Sequence, residues 1–132
     1  MERAVFRFIE HELFSYERTK QEIQELREEI MSDSSAPRDS MPGRGYVSDT
    51  TARKAIRLMT NTSLARMTRT VAAIDRAMCR LNENHRALFE LRYKQKMPWQ
   101  EVCEMIPISE RTYFRMRREL VMAVGREIGL EN

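Results

Sequence analysis

Glycine and proline are nearly missing from this chain, four of each in 132 residues. Both interrupt regular structure. Their scarcity, together with apolar residues at three- and four-residue spacing rather than in alternation, excludes a strand-rich architecture and predicts an all-α fold. Cysteine is scarcer still. Cys79 and Cys103 stand outside any C-x-x-C spacing and have no histidine at ligand distance, which excludes a zinc site. Cys103 is expected where two helices cross and Cys79 beside an apolar seam. His11 and His85 lie far apart with no Ser, Cys or Asp arrangement around them, and Gly43-Arg44-Gly45 is too short for a phosphate loop. No catalytic residue, metal or cofactor is expected, and hence no enzyme. No apolar run approaches the roughly eighteen residues of a membrane span, and no charged-then-apolar leader opens the chain. The expectation is a cytoplasmic protein with reduced cysteines and no membrane partner.

What is present is charge, unevenly placed. The formal net charge of +3 conceals an acidic start: residues 1–31 carry eight acids against five bases, whereas residues 49–83 carry seven bases against three acids and 84–132 nine against seven. The later segments therefore suit a polyanionic partner, and the first a different task.

In chain order, residues 1–31 read as an acidic helix with Ile9, Glu12, Tyr16, Thr19, Ile23, Leu26 and Ile30 along one seam. A helix of that length spans about 45 Å and needs a partner along it. Glu25, Glu28 and Glu29 oppose the helix dipole and predict fraying near Met31 unless basic groups lie alongside. Residues 32–48, small, polar and broken by Pro37 and Pro42, read as a flexible linker; the functional alternative is a basic arm of Arg38, Arg44 and Tyr46 settling on nucleic acid. A second long, basic helix over 49–83, capped by Asp49 or Thr50, carries a heptad seam of Leu64, Met67, Val71, Ile74, Met78 and Leu81. Ile56 and Met59 sit out of that register, and Thr60-Asn61-Thr62-Ser63 predicts a break or kink. The acidic and basic helices would pair as an antiparallel hairpin, within the chain or between two copies as a homodimer.

Residues 84–132 read as a compact helix-turn-helix domain. After an N-cap cluster at 82–84, a buttressing helix runs from about His85 to Gln95. Trp99, Val102, Cys103 and Ile106 then mark one face of a short helix. Pro107 ends it by forcing Ile106 out of the α region, Ile108 plugs the turn, and Ser109 caps the next helix. In that helix, 109–126, Tyr113, Met116, Leu120, Val124 and Ile128 form the buried stripe. Ser109, Glu110, Arg111, Thr112, Phe114, Arg115, Arg117 and Arg118 are the candidate contacts to double-stranded DNA. Between Arg111 and Arg118 there are four arginines and no acid. Such a helix can enter the major groove, where arginine reads guanine or neutralises phosphate. The bland alternative is an ordinary solvated basic helix.

The segments His85-Arg-Ala-Leu-Phe-Glu-Leu-Arg-Tyr93, Met97-Pro-Trp-Gln-Glu-Val-Cys103 and Ile108-Ser-Glu-Arg-Thr-Tyr113 resemble region 4 of bacterial sigma factors. With the acidic leading helix, the linker, Thr51-Ala-Arg-Lys-Ala-Ile56 and Arg69-Thr-Val-Ala-Ala-Ile-Asp75, nearly the whole chain resembles phage transcriptional regulators of the RinA and ArpU type. That resemblance implies a DNA-binding activator of phage or prophage late genes for packaging, assembly and lysis. Its Ser-x-x-Thr-Tyr element falls on Ser109, Thr112 and Tyr113. Pro107 departs from the glycine more usual in a sigma-like turn. In an activator the acidic helix would be free for dimerisation or for contact with host RNA polymerase. Two other readings stay open: a small terminase-like DNA-packaging component, and a helical protein–protein adaptor.

Overall fold

A computed structural model describes residues 1–35 and 46–130, with side chains over 1–32 and 51–130. The helical spacing is realised as α1 (Arg3–Phe14), α2 (Tyr16–Ser35), α3 (Tyr46–Arg80), α4 (Glu83–Leu88), α5 (Trp99–Met105) and α6 (Glu110–Ile128). Among the described residues there is no strand. The expected linker lies largely outside the described residues, and so does the arm of Arg38 and Arg44. α2 continues to Ser35 and α3 opens at Tyr46, ahead of the expected caps.

The acidic helix is not one rod. Its seam faces inward as expected, but Ser15, with ψ near 0°, divides it. The hydrogen bonds barely lapse: Ser15 N–H donates to His11 O at 3.0 Å and Thr19 N–H to Ser15 O at 2.7 Å. The division gives the two halves different partners. α1 lies against α6, and α2 against α3. Instead of fraying near Met31, α2 holds its acidic end with local bonds one turn apart, Gln21 to Glu25 at 3.2 Å and Gln24 to Glu28 at 3.1 Å.

α3 runs unbroken through the segment expected to kink. The weak helix propensity of threonine and asparagine is outweighed by the packing of α3 against α2, and the threonine hydroxyls bond within the helix. Thr62, Thr68 and Thr70 donate to the carbonyls of Leu58, Leu64 and Arg66, each in the turn before, at 2.7–3.1 Å. The heptad stripe faces inward, with Ile74 and Met78 buried, while Cys79 is exposed rather than packed beside the seam. Tyr16 of α2 donates to Asp75 at 2.5 Å, and residues 19–22 lie beside 66–70, so the two helices run antiparallel.

The chain then turns on Asn82, whose side chain accepts from His85 N–H at 3.0 Å and caps α4. Arg86 reaches back to the carbonyls of Met78 and Leu81, closing the open end of α3. α4 passes directly into a π-helical turn, Phe89–Lys94, which the helical spacing did not foretell. The wider turn brings Leu88, Phe89 and Tyr93 all into the interior. Lys96, at a left-handed φ of 58°, then redirects the chain into Pro98 and α5.

Every helix contributes to one core. Ile9 and Leu13 from α1, Tyr16 from α2, Ile74 and Ala77 from α3, Leu88 from α4, Val102 from α5 and Tyr113, Leu120 and Val124 from α6 belong to a single buried cluster. At roughly 1.5–3 kcal/mol for each large apolar side chain removed from water, this cluster is where the fold is held. Residues 51–59 of α3 have no share in it, all nine being exposed.

Candidate nucleic-acid interface

The end of α5 and the start of α6 are built by three local signals. Ile106 leaves the helical region at φ −104° and ψ 106°, as the proline after it demands. Ile108 packs against the core from the turn. Ser109 accepts from Thr112 N–H at 3.1 Å and so supplies one of the orphan donors of α6 with a partner. Gly129, at φ 93°, closes the other end of that helix, and Leu130 N–H returns to Gly125 O at 2.8 Å.

Between those caps the two faces of α6 separate. Tyr113, Met116, Leu120, Val121 and Val124 are buried, while Ser109, Glu110, Arg111, Phe114, Arg115 and Arg118 are exposed and Thr112 is half-buried. Arg111 and Arg118 form no ion pair among the described residues, and Arg115 meets Glu119 on its own helix at 3.8 Å. That contact is exposed and worth only about 0.3–0.5 kcal/mol, too little to hold the guanidinium from another partner. Phe114, 39 % exposed, is steadied by Trp99 and Tyr113, with ring centroids 5.4 and 5.0 Å away. Three arginines and a braced aromatic ring thus share one solvent face.

Arg117 is placed differently from its neighbours. Its guanidinium turns inward and grips Glu10 of α1 with both ends, Nε to Oε2 at 2.8 Å and Nη2 to Oε1 at 2.6 Å. Tyr93 adds its hydroxyl to the same Oε2 at 2.7 Å. The Arg117 guanidinium also lies over the rings of Phe6 and Phe114, at 4.9 and 5.9 Å. Burial alone would raise the Glu10 carboxyl, but hydrogen bonds from Arg117 and Tyr93, with the charges of Arg117 and Arg92, outweigh it and hold the group below its usual range. Burial and the adjoining carboxylate push the Tyr93 phenol well up. Arg117 is held in its charged form by Glu10. This network joins the beginning of the chain to the outward-facing helix, and sequence spacing did not reveal it. One signal was available: Arg117 stands four residues after Tyr113 and three before Leu120, inside the buried stripe, where a cation requires a carboxylate.

The fold and this face together define an all-helical protein that presents a basic helix surface. Among the described residues no group of His, Cys, Asp or Glu could hold a metal ion, and no helix is long and apolar enough to cross a membrane. A family described as a protein of unknown function, DUF722, matches residues 9–126, and the chain belongs to that family. It is also similar to the transcriptional activator rinA of Staphylococcus phage phi11, with 26 % identity over 129 residues, 96 % of this chain and 91 % of that protein. No solved structure matches the chain.

Proposed function

We propose that this protein is a sequence-specific DNA-binding regulator of phage or prophage transcription that lays α6 in the major groove of double-stranded DNA. The observation that carries the reading is the exposed face of Arg111, Phe114, Arg115 and Arg118, from a stretch with no acid between 111 and 118, on a helix capped by Ser109 just after a short helix and a proline turn. Similarity to a protein named as a transcriptional activator supports the regulatory class. Arg111 and Arg115 lie one turn apart near the helix N-terminus, the end that approaches base edges in helix-turn-helix docking. Ser109, Glu110 and Thr112 stand at the helix entrance. Arg118, a turn further on, contacts phosphate. Arg117 serves by holding α6 against α1, its guanidinium being taken by Glu10. The regulator acts as an activator of late genes in the cytoplasm of the bacterial host, without catalysis.

Selection of preferred duplexes from random DNA, followed by titration at two salt concentrations, tests the proposal. The affinity for the selected site should fall with salt, each phosphate contact contributing about 0.9 to the slope of log K against log salt. No enrichment of any sequence, or a flat salt response, overturns it.

A further inference from the structure

α3 outruns its neighbour. With Tyr16 set against Asp75 and both helices rising equally per residue, the end of α2 at Ser35 falls opposite about residue 56 of α3. The inward stripe of α3 continues towards that end through Thr60 to Ile56, but nothing in the described chain covers it. Leu64 and Met67 are half-buried, whereas Ile56, Leu58 and Met59 are 63, 68 and 70 % exposed.

The charges along this arm are segregated as well as exposed. Residues 51–70 of α3 hold five bases and no acid, and residues 21–32 of α2 hold four acids and one base. Among the described residues no ion pair crosses between these stretches. Glu25 and Glu28 are engaged by Gln21 and Gln24 of their own helix, and Arg53 and Arg57 form no ion pair with any described side chain. Among the described residues both faces are therefore left uncovered.

We propose that the α2–α3 arm is a homodimer interface. Two copies lie antiparallel, so that the acidic face of α2 in each meets the basic face of α3 in the other, with Ile56 and Met59 covered between them. A second copy is the occupant that the arm itself specifies. It carries both signs side by side, so its own image under a two-fold axis is complementary. A nucleic acid would meet the acidic helix and leave the apolar residues wet. A contact about 30 Å long and two helices wide buries roughly 600 Å² on each copy, the lower end of specific interfaces. The inference does not depend on DNA contact by α6, but it would set two such helices about a two-fold axis.

Charge reversal and mixing test it on the full chain by sedimentation. The double variants Glu25→Lys with Glu28→Lys, and Arg53→Glu with Arg57→Glu, change exposed residues, and circular dichroism should report the same helix content and melting as wild type. The wild type should be dimeric at high micromolar concentration and dissociate as salt is raised. Each double variant alone should dimerise more weakly by a hundredfold or so, since like charges then face each other. An equimolar mixture should recover the dimer, because both halves of the interface regain opposite signs. Ile56→Asp should stay monomeric alone and weaken recovery in any mixture. A monomeric wild type, or folded variants that dimerise as wild type does, overturns the proposal. So does a mixture that fails to recover. Should the Arg53→Glu, Arg57→Glu variant lose DNA affinity without any change in mass, the basic face holds nucleic acid instead, and the proposal falls.

Discussion

Two ends of α3 follow the same helical rule and meet opposite fates. Around Ile74 the helix is enclosed by side chains drawn from both ends of the chain, whereas around Ile56 it has no cover within the described residues. Nothing in local propensity distinguishes them. What differs is whether another element reaches that height: α1, α4 and α6 gather at the C-terminal end of α3, and α2 alone follows it outward. Stability is therefore concentrated at one end, and the other end adds little to it.

The comparison breaks most visibly under matched substitutions. Ile74→Asp should cost about 4 kcal/mol or more, since it buries an unpaired charge in the core and removes the packing of a fully enclosed side chain. Ile56→Asp should change unfolding by less than about 0.5 kcal/mol when measured at a concentration too low for association. Thermal and urea unfolding of the pair checks this, and equal losses would mean that the arm is folded into a core after all.

A smaller effect is expected from the bond between α1 and α6. Glu10→Ala should cost about 2–3 kcal/mol, because it strands Arg117 and the Tyr93 hydroxyl at a site where the Glu10 and Arg117 side chains are 15 % and 31 % exposed. The pH dependence has a definite sign. Glu10 titrates below its ordinary value of 4.5, so its contribution is complete above that value and is lost as pH falls through the lowered one. Wild type should lose stability to Glu10→Gln over that acid range, the two curves converging at the lowest pH. Parallel curves would place the stabilisation elsewhere.

On the outward face the expected losses are comparable in binding and slight in folding. Arg111→Ala or Arg115→Ala should cost about 1–3 kcal/mol on a selected site and little on a scrambled one, while Arg118→Ala should weaken both and lower the salt slope by about one. Equal losses on both duplexes for Arg111→Ala and Arg115→Ala would assign those residues to the backbone. The smallest change is Ser109→Ala, which should cost about 1 kcal/mol of stability through the lost N-cap bond. An unchanged melting temperature would show that water replaces the hydroxyl.

How much of this was legible in the sequence depends on how local the cause was. The turn between α5 and α6 is written in adjacent residues, Ile106, Pro107, Ile108 and Ser109, and the structure forms it as those residues require. The N-cap cluster that holds Asn82 at the start of α4 was equally plain. The inward seam from Ile9 to Ile30 was legible too, since periodicity reports which face is covered. It does not report by what. That α1 leaves α2 at Ser15 to pack on α6, and that Glu10 meets Arg117 across 107 positions, are tertiary facts without a local mark. The π-helical turn belongs with them, as does the continuity of α3, where packing against α2 outweighs a poor local propensity.

The grip of Glu10 on Arg117 also has a consequence in time. During synthesis α1 leaves the ribosome well before the helix it must hold is made. Contacts this distant in sequence form late and slow the search for the native state. Until α6 emerges, Ile9 and Leu13 are without the surface they cover, and the nascent chain carries that apolar face unprotected. A chain cut short before Arg117 would thus lose more than the outward Arg118. It would also lack the surface that covers Ile9 and Leu13, and should be more readily proteolysed than the full chain.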